Sequence, residues 1–261
     1  MDSTQATAPD GLHPRFDRDD VLALMTTRHG GVSAAPWHRM NLGMHVGDDP
    51  ERVKQNRLSL SAALRLPVLF LDQVHGVHVH AASPADLAGP APEADAAWTV
   101  ERGLGLAVQV ADCLPLLFAV SSASASAQPG VAAAHAGWRG LCGGVIEATV
   151  AALCGGTGAP ESDLQVWLGP CIGPQRFEVG SEVRDAFLQV QPAADAAFVP
   201  AESSGKWRAD LQALARLRLQ ALGVHRVSAQ PDCTFTQASS YFSFRRDGRT
   251  GRMAAVIGLR A

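Results

Sequence analysis

The residues best suited to chemistry stand at three places, each at the end of an apolar run: Gln73-Val74-His75-Gly76, Ala111-Asp112-Cys113 and His135-Ala136-Gly137-Trp138-Arg139-Gly140. Two imidazoles and a thiol can hold a catalytic zinc, because three protein ligands leave a fourth position for water or substrate. The same residues admit a metal-free reading in which Cys113 is a nucleophile and His135 its base. Their spacing matches no compact zinc pattern. Residue type alone therefore also allows His75 as a turn histidine, Cys113 as a small buried hydrophobe and His135 as a strand-end cap. Cys142, Cys154, Cys171 and Cys233 have no histidine nearby in sequence and read as ordinary thiols. His78 and His80 read as surface strand residues, and His29 and His45 lie in loops.

Positioning these groups requires alternating strands and helices. Strands are expected at Val21–Thr27, Val68–Val74, Val77–His80, Leu104–Val110, Leu114–Val120, Val131–His135, Leu164–Leu168, Val224–Ala229 and Met253–Leu259, from short apolar runs between Gly/Pro breaks. His75 then falls where one strand gives way to another. A helix is expected to start at Asp49-Pro50, an acid before a proline, with Val53, Leu60 and Leu64 on one face. Further helices are expected at Val145–Cys154, stopped by Gly155-Gly156, at Ser181–Val190, and at Asp210–Leu222 before Gly223. Ser121–Gly130 reads as a Ser/Ala-rich loop. There is no internal repeat, so residues 1–19 are taken as an N-terminal tail and 20–261 as one domain.

Composition narrows the function. The chain has 261 residues, 47% hydrophobic and 18% charged, with a net charge of -3, which offers no concentrated basic surface to nucleic acid or anionic lipid. No apolar stretch approaches the roughly 20 residues that cross a bilayer. Met1–Arg15 lacks the basic and apolar regions of a signal peptide. Five scattered cysteines, an odd number, argue for reduced thiols in a cytoplasm.

The segments Thr27–Ser33, Asn41-Leu42-Gly43, Val46-Gly47-Asp48, Asn56-Arg57, Gln73–Gly76, Ala94-Asp95-Ala96, Ala111–Cys113, Ala134–Gly140, Gly169-Pro170, Phe177–Gly180 and Phe242–Gly248 follow in order between Val21 and Leu259. In these the chain resembles the YfiH/YlmD family, first called laccase-domain or polyphenol-oxidase proteins and later purine nucleoside phosphorylases. Arg39-Met40-Asn41 departs from the Ser-Leu-Asn usual there but keeps Asn41.

The resemblance implies an α/β (α+β) fold of the CNF-toxin/YfiH type, a single layered domain with packed mixed β-sheets flanked by helices. It implies a zinc ion on His75, Cys113 and His135, phosphorolysis of adenosine, inosine, guanosine and methylthioadenosine, and deamination of adenosine. Purine nucleosides and phosphate are then the partners. Arg28 and Arg139 adjoin Gly-rich turns where a guanidinium can meet phosphate, or can lock the turn in a salt bridge. Asn41 and Gln73 are set to bind ribose hydroxyls or a base edge, or to cap loops. Asp112 is a candidate to orient a ligand. The older family label keeps a copper-dependent phenol oxidase as an alternative, since a His₂Cys set also suits copper; multicopper chemistry, however, needs many histidines and the chain has 9. Some bacterial relatives are also linked to editing of peptidoglycan precursors.

Overall fold

The computed structural model describes residues 8–124 and 127–261. Residues 1–7 of the polar N-terminal segment and residues 125 and 126 of the Ser/Ala-rich loop lie outside them.

Apolar runs buried on both faces belong inside a stack of layers. Three such runs form the centre here: β7 (Leu114–Val120), β8 (Val131–Ala136) and β14 (Met253–Leu259), buried at every residue. One five-stranded sheet has the order β1 (Gly11–Leu12), β2 (Val21–Thr26), β14, β6 (Gly105–Val110), β3 (Val68–Phe70). A six-stranded sheet runs β13 (Arg226–Ala229), β9 (Leu164–Leu168), β7, β8, β5 (Ala96–Thr99), β4 (Val79–Ala81). Both are mixed: β3 pairs parallel with β6, β13 with β9 and β4 with β5, while the other pairs are antiparallel. A small third sheet contains β10 (Glu178–Gly180), β12 (Lys206–Ala209) and β11 (Phe198–Pro200).

The period-two alternation of β7 shows how the layers stack. Leu116, Phe118 and Val120 enter a core shared with helices α2 (Trp138–Gly143), α3 (Val145–Thr157), α4 (Ser181–Val190) and α5 (Leu211–Ala221). Leu117 and Ala119 enter a second core between the two large sheets, with Leu106, Val108 and Val110 of β6 and Met253, Ala255 and Ile257 of β14. The outer face of the five-stranded sheet gives Ala107, Ala254 and Val256 to a third core, closed by Leu60 and Leu64 of α1 (Pro50–Leu64). The stack is helix, sheet, sheet, helices. It is the mixed-sheet layered domain expected from the sequence.

Helix α1 starts as its sequence dictates: the Asp49 carboxylate accepts from the Glu51 amide, Pro50 occupies the first turn, and Val53, Leu60 and Leu64 are buried. Its one buried polar residue, Asn56, accepts from Val32 N at 2.9 Å and donates to Ser33 Oγ and to the carbonyls of Arg39 and Asn41. It thereby pins the whole 32–41 loop to the helix.

Several element boundaries differ from the sequence reading. The strand from Val68 ends at Phe70, and residues 71–78 form a loop that reaches β4 in the other sheet. The strand expected from Val224 begins at Arg226. The Trp138–Gly143 segment is helical. Helix α3 runs through Gly155-Gly156 and stops only at Gly158, which has φ 75°. Gly156 is a packing residue: a Cβ there would lie within 1.8 Å of the Trp98 ring. Strands β1, β5 and β10–β12 were not expected; they are two to four residues long, too short for a periodic signal. The five-stranded sheet also reaches ahead of Asp20, since Gly11–Leu12 pairs with Met25 and Thr26.

Two predictions concern this framework. Gly156→Ala should lower stability by about 1–3 kcal/mol, because the added methyl must displace the Trp98 ring; a melting temperature equal to wild type would contradict the packing role. Asp20 binds Arg18 and Arg102, and the Arg18 hydrogen bond, opposed by burial and helped by Arg102, holds its pKa at about 2. Its stabilisation is therefore present above the unfolded carboxylate value and lost as pH falls from about 4 towards 2. Asp20→Asn should remove that part of the acid dependence, as read by unfolding at a series of pH values.

Candidate metal centre

Loop 71–78 joins β3 of one large sheet to β4 of the other, and residues 111–113 join β6 to β7 across the same gap. Each connection must turn sharply. His75 has φ 61° and Asp112 φ 107°, conformations that non-glycine residues adopt only under constraint.

For His75 the constraint is Asp95, fully buried just ahead of β5. Its carboxylate accepts from the amides of Val74 (3.2 Å), His75 (3.0 Å) and Gly76 (2.6 Å). The same group meets His135 Nδ1 at 2.8 Å, and the Asp95 carbonyl accepts from His135 N at 2.7 Å. With Nδ1 so engaged, His135 presents Nε2 to the centre. Burial disfavours the Asp95 charge, but His135 and the amides outweigh it and hold its pKa below the usual range.

Cys113 Sγ lies 3.9 Å from His75 Nε2, the two imidazoles meet edge to face at 4.8 Å between centroids, and the three ligand atoms lie within 4.8 Å of one another. Burial pushes the Cys113 thiol up, yet His135 and His75 draw it down to about 6. Burial likewise opposes the charge on His135, but Cys113 and Asp95 raise its pKa to about 9. The other thiols are unlike this one. Burial raises Cys142, Cys154 and Cys171, and Cys233 is lowered only by local hydrogen bonds acting against burial.

The donor set fits one divalent cation. Zinc bonds of about 2.0–2.3 Å place tetrahedral ligand atoms about 3.3–3.6 Å apart, so modest side-chain movement closes these around an ion. Gly137 leaves the room: a Cβ there would lie 2.9 Å from His75 Cδ2 and 3.1 Å from Cys113 Sγ. Gly140 lets α2 abut the His75 loop, since its Cβ would meet the Gly76 carbonyl at 2.7 Å.

The centre opens on a cleft of about 340 Å³, within the range of small-molecule sites. His75, Cys113, His135, Gln73, Phe244 and Arg252 are among its walls. The Gln73 amide is paired with the backbone of Gln109, at 3.0 Å to its carbonyl and 2.7 Å to its N–H. Asn41 stands behind the wall with its amide saturated: it donates to the Gly43 carbonyl and Asp48, and accepts from Gly43 N and Arg252 N. The Asp112 carboxylate turns away from the histidines to Thr234 Oγ1 and Arg245 N, both at 2.7 Å.

Arg28 and Arg139 do not line this cleft. Arg28 donates to the His38 and Ala238 carbonyls and lies over the Phe242 ring, while exposed Arg139 lies over Trp138. Among the described residues neither forms a salt bridge. The turn glycine beside Arg28 is structural, because Gly31, at φ 69°, backs onto Asn56 Oδ1. Sequence reasoning gave no role to Asp95 or Arg252. Arg252 abuts the apolar run of β14, and Asp95 falls in one of the segments that carry the resemblance.

Asp95→Asn should lower zinc affinity by about 10- to 100-fold and stability by about 3 kcal/mol, because its amide NH₂ would face backbone donors. Competitive chelator titration and denaturant unfolding measure the two effects. Wild-type zinc affinity in the folded variant would remove Asp95 from the centre.

Comparison with known proteins places this geometry. Residues 22–260 match the family model described as multi-copper polyphenol oxidoreductase laccase. Over 239 residues the chain is 48% identical to a purine nucleoside phosphorylase of Pseudomonas aeruginosa, covering 92% of this chain and 93% of that one. It is 46% identical over 241 residues to purine nucleoside phosphorylase YfiH of Escherichia coli, covering 92% and 94%. Among solved structures, a Neisseria meningitidis protein of the DUF152 group superposes with a TM-score of 0.89 at 43% identity, covering 96% and 99%. YlmD from Geobacillus stearothermophilus does so with 0.83 at 32% identity, covering 97% and 100%. Similar along nearly its whole length to proteins of both names, the chain belongs to the YfiH/YlmD family.

Proposed function

We propose that the protein is a zinc-dependent purine nucleoside phosphorylase, acting in the cytoplasm on adenosine, inosine, guanosine and methylthioadenosine, with a second activity as an adenosine deaminase. The observation that carries the reading is the three-ligand centre, His75, Cys113 and His135, with its remaining side open to the cleft. The naming of the similar proteins as purine nucleoside phosphorylases supports it.

Zinc held there supplies Lewis acidity, which acidifies water or polarises a substrate oxygen. The chain's own groups do the rest. Asp95 keeps the His135 tautomer fixed, and Gly137 keeps the ligands close. Gln73, already paired with Gln109, retains an N–H and a lone pair for a ribose hydroxyl or a base edge. In phosphorolysis a phosphate oxygen bonds C1′ as the bond from C1′ to the purine nitrogen breaks; the purine takes the electron pair and then a proton. In deamination the oxygen of water bonds C6 of adenosine and ammonia leaves.

One observation favours a second reading. Cys113, His135 and Asp95 also form a nucleophile, base and orienting carboxylate, with the thiol drawn down to about 6, as a cysteine hydrolase requires. His75 separates the two readings. A hydrolase has no use for a second imidazole on the sulfur, whereas a metal centre needs one. A single copper would suit the same ligands. The described residues hold one such group of three, too few for multicopper oxidation.

Cys113→Ser tests the assignment. Zinc should fall from about one per chain, and release of free purine with ribose-1-phosphate and formation of inosine from adenosine should fall together. The loss should exceed the about 10- to 100-fold expected of an outer partner. A folded, inactive Cys113→Ser protein with unchanged zinc would refute Cys113 as a ligand and favour its role as a nucleophile.

A further inference from the structure

Neither arginine expected at a phosphate reaches the cleft, yet the cleft is not without a cation. Arg252, immediately ahead of β14, lines it beside the metal centre. Its backbone N–H is held by Asn41 Oδ1 at 2.9 Å, and its stem lies against Gly43, where a Cβ would come within 2.7 Å of Arg252 Cγ. Nη1 donates to the carbonyls of Thr250 (3.3 Å) and Gly251 (3.1 Å). Nε and Nη2 have no protein acceptor among the described residues, and no carboxylate there lies within salt-bridge distance of this guanidinium. The acids nearby are committed elsewhere: Asp112 to Thr234 and Arg245, and Asp72 to His45 at 3.6 Å.

A partly buried guanidinium with no anion to balance it is costly. Burial accordingly lowers the Arg252 pKa against the pull of Cys113 and Asp112. Asn41 nonetheless fixes its backbone, and Gly43 makes room for its stem. We propose that Arg252 is the anion-binding residue of the cleft and receives a phosphate group on its Nε–Nη2 edge. That edge is the pair of parallel donors that grips two phosphate oxygens. Phe244, 58% exposed, also lines the cleft, with its ring centroid 5.7 Å from the guanidinium. Phosphate at Arg252 is placed beside the metal ligands, where a second substrate has to meet the first. The inference deepens the phosphorylase reading and rests on it for the role of the anion, though not for its binding.

The test is calorimetric titration of inorganic phosphate, and separately of adenosine 5′-monophosphate, into the zinc-loaded full-length protein. Wild type should bind phosphate saturably at one site. Arg252→Gln should weaken it by about 10- to 100-fold, and Arg252→Lys should fall between, keeping the charge but losing the fork. Gly43→Ala should weaken it at unchanged charge by displacing the Arg252 stem, while Arg139→Gln should match wild type. Melting temperature and zinc content of each variant show that fold and centre are intact. Wild-type phosphate affinity in an intact Arg252→Gln protein, or no saturable phosphate binding in wild type, overturns the proposal. Arg252-dependent binding of the monophosphate alone supports the subsite but makes its ligand part of a substrate, against phosphorolysis. Arg252-dependent phosphate binding without purine release from any nucleoside keeps the subsite and removes the phosphorylase.

Discussion

The carboxylate of Asp95 is the interaction on which the site depends. It is wholly buried, a position that costs a lone carboxylate several kcal/mol and is tolerated only with full compensation. Four donors supply it: three consecutive amides, of residues 74–76, and His135 Nδ1. The arrangement ties two parts of the chain that would otherwise move independently. The left-handed His75 turn is held from below and His135 is held by its ring and its backbone, so two of the three candidate ligands share one rigid reference. Without that carboxylate, the strained His75 backbone would have no reason to keep its conformation.

Around this fixed point the remaining geometry is set by close approach. The centre lies where connections pass between two stacked sheets, and space there is scarce. Gly137 and Gly140 admit the imidazoles and the His75 loop, and Gly43 admits the stem of Arg252. The apolar layers make the crossing points reproducible. Because β7 divides its side chains between two cores, packing places Cys113 just ahead of it and His135 on its neighbour β8, and Asp95 then aims the His135 ring.

The parts legible in the sequence are those that depend on local pattern. The doubly buried strands, the capped start of α1 and its buried face follow from runs, periodicity and one Asp-Pro pair. The three chemistry-bearing segments also stood out, because a histidine or cysteine after an apolar run is a local event, even though the strand before His75 ends already at Phe70. What escaped depends on distant contacts. Asp95 lies 20 residues from His75 and 40 from His135, and nothing in Ala94-Asp95-Ala96 shows which groups meet its carboxylate. Glycines misled for the same reason. Gly30-Gly31 and Gly155-Gly156 signal a close approach or a turn, but not the partner; that proved to be Asn56 in one case and Trp98 in the other.

The arginines carry the same lesson to the cleft. A guanidinium beside glycines in sequence is near flexible backbone, whereas an anion site requires donors left unused after folding. Arg28 spends its donors on two carbonyls and its face on Phe242, and Arg139 spends its face on Trp138 at the surface. Arg252 gives one nitrogen to the turn that presents it and keeps its Nε–Nη2 edge without a protein acceptor among the described residues. What distinguishes it is that its unused donors belong to a residue in the wall of the cleft, a property of the folded chain alone. The Asn41 amide shows the converse: all its capacity goes to Gly43, Asp48 and Arg252. It therefore serves the site by holding the residue that faces the ligand.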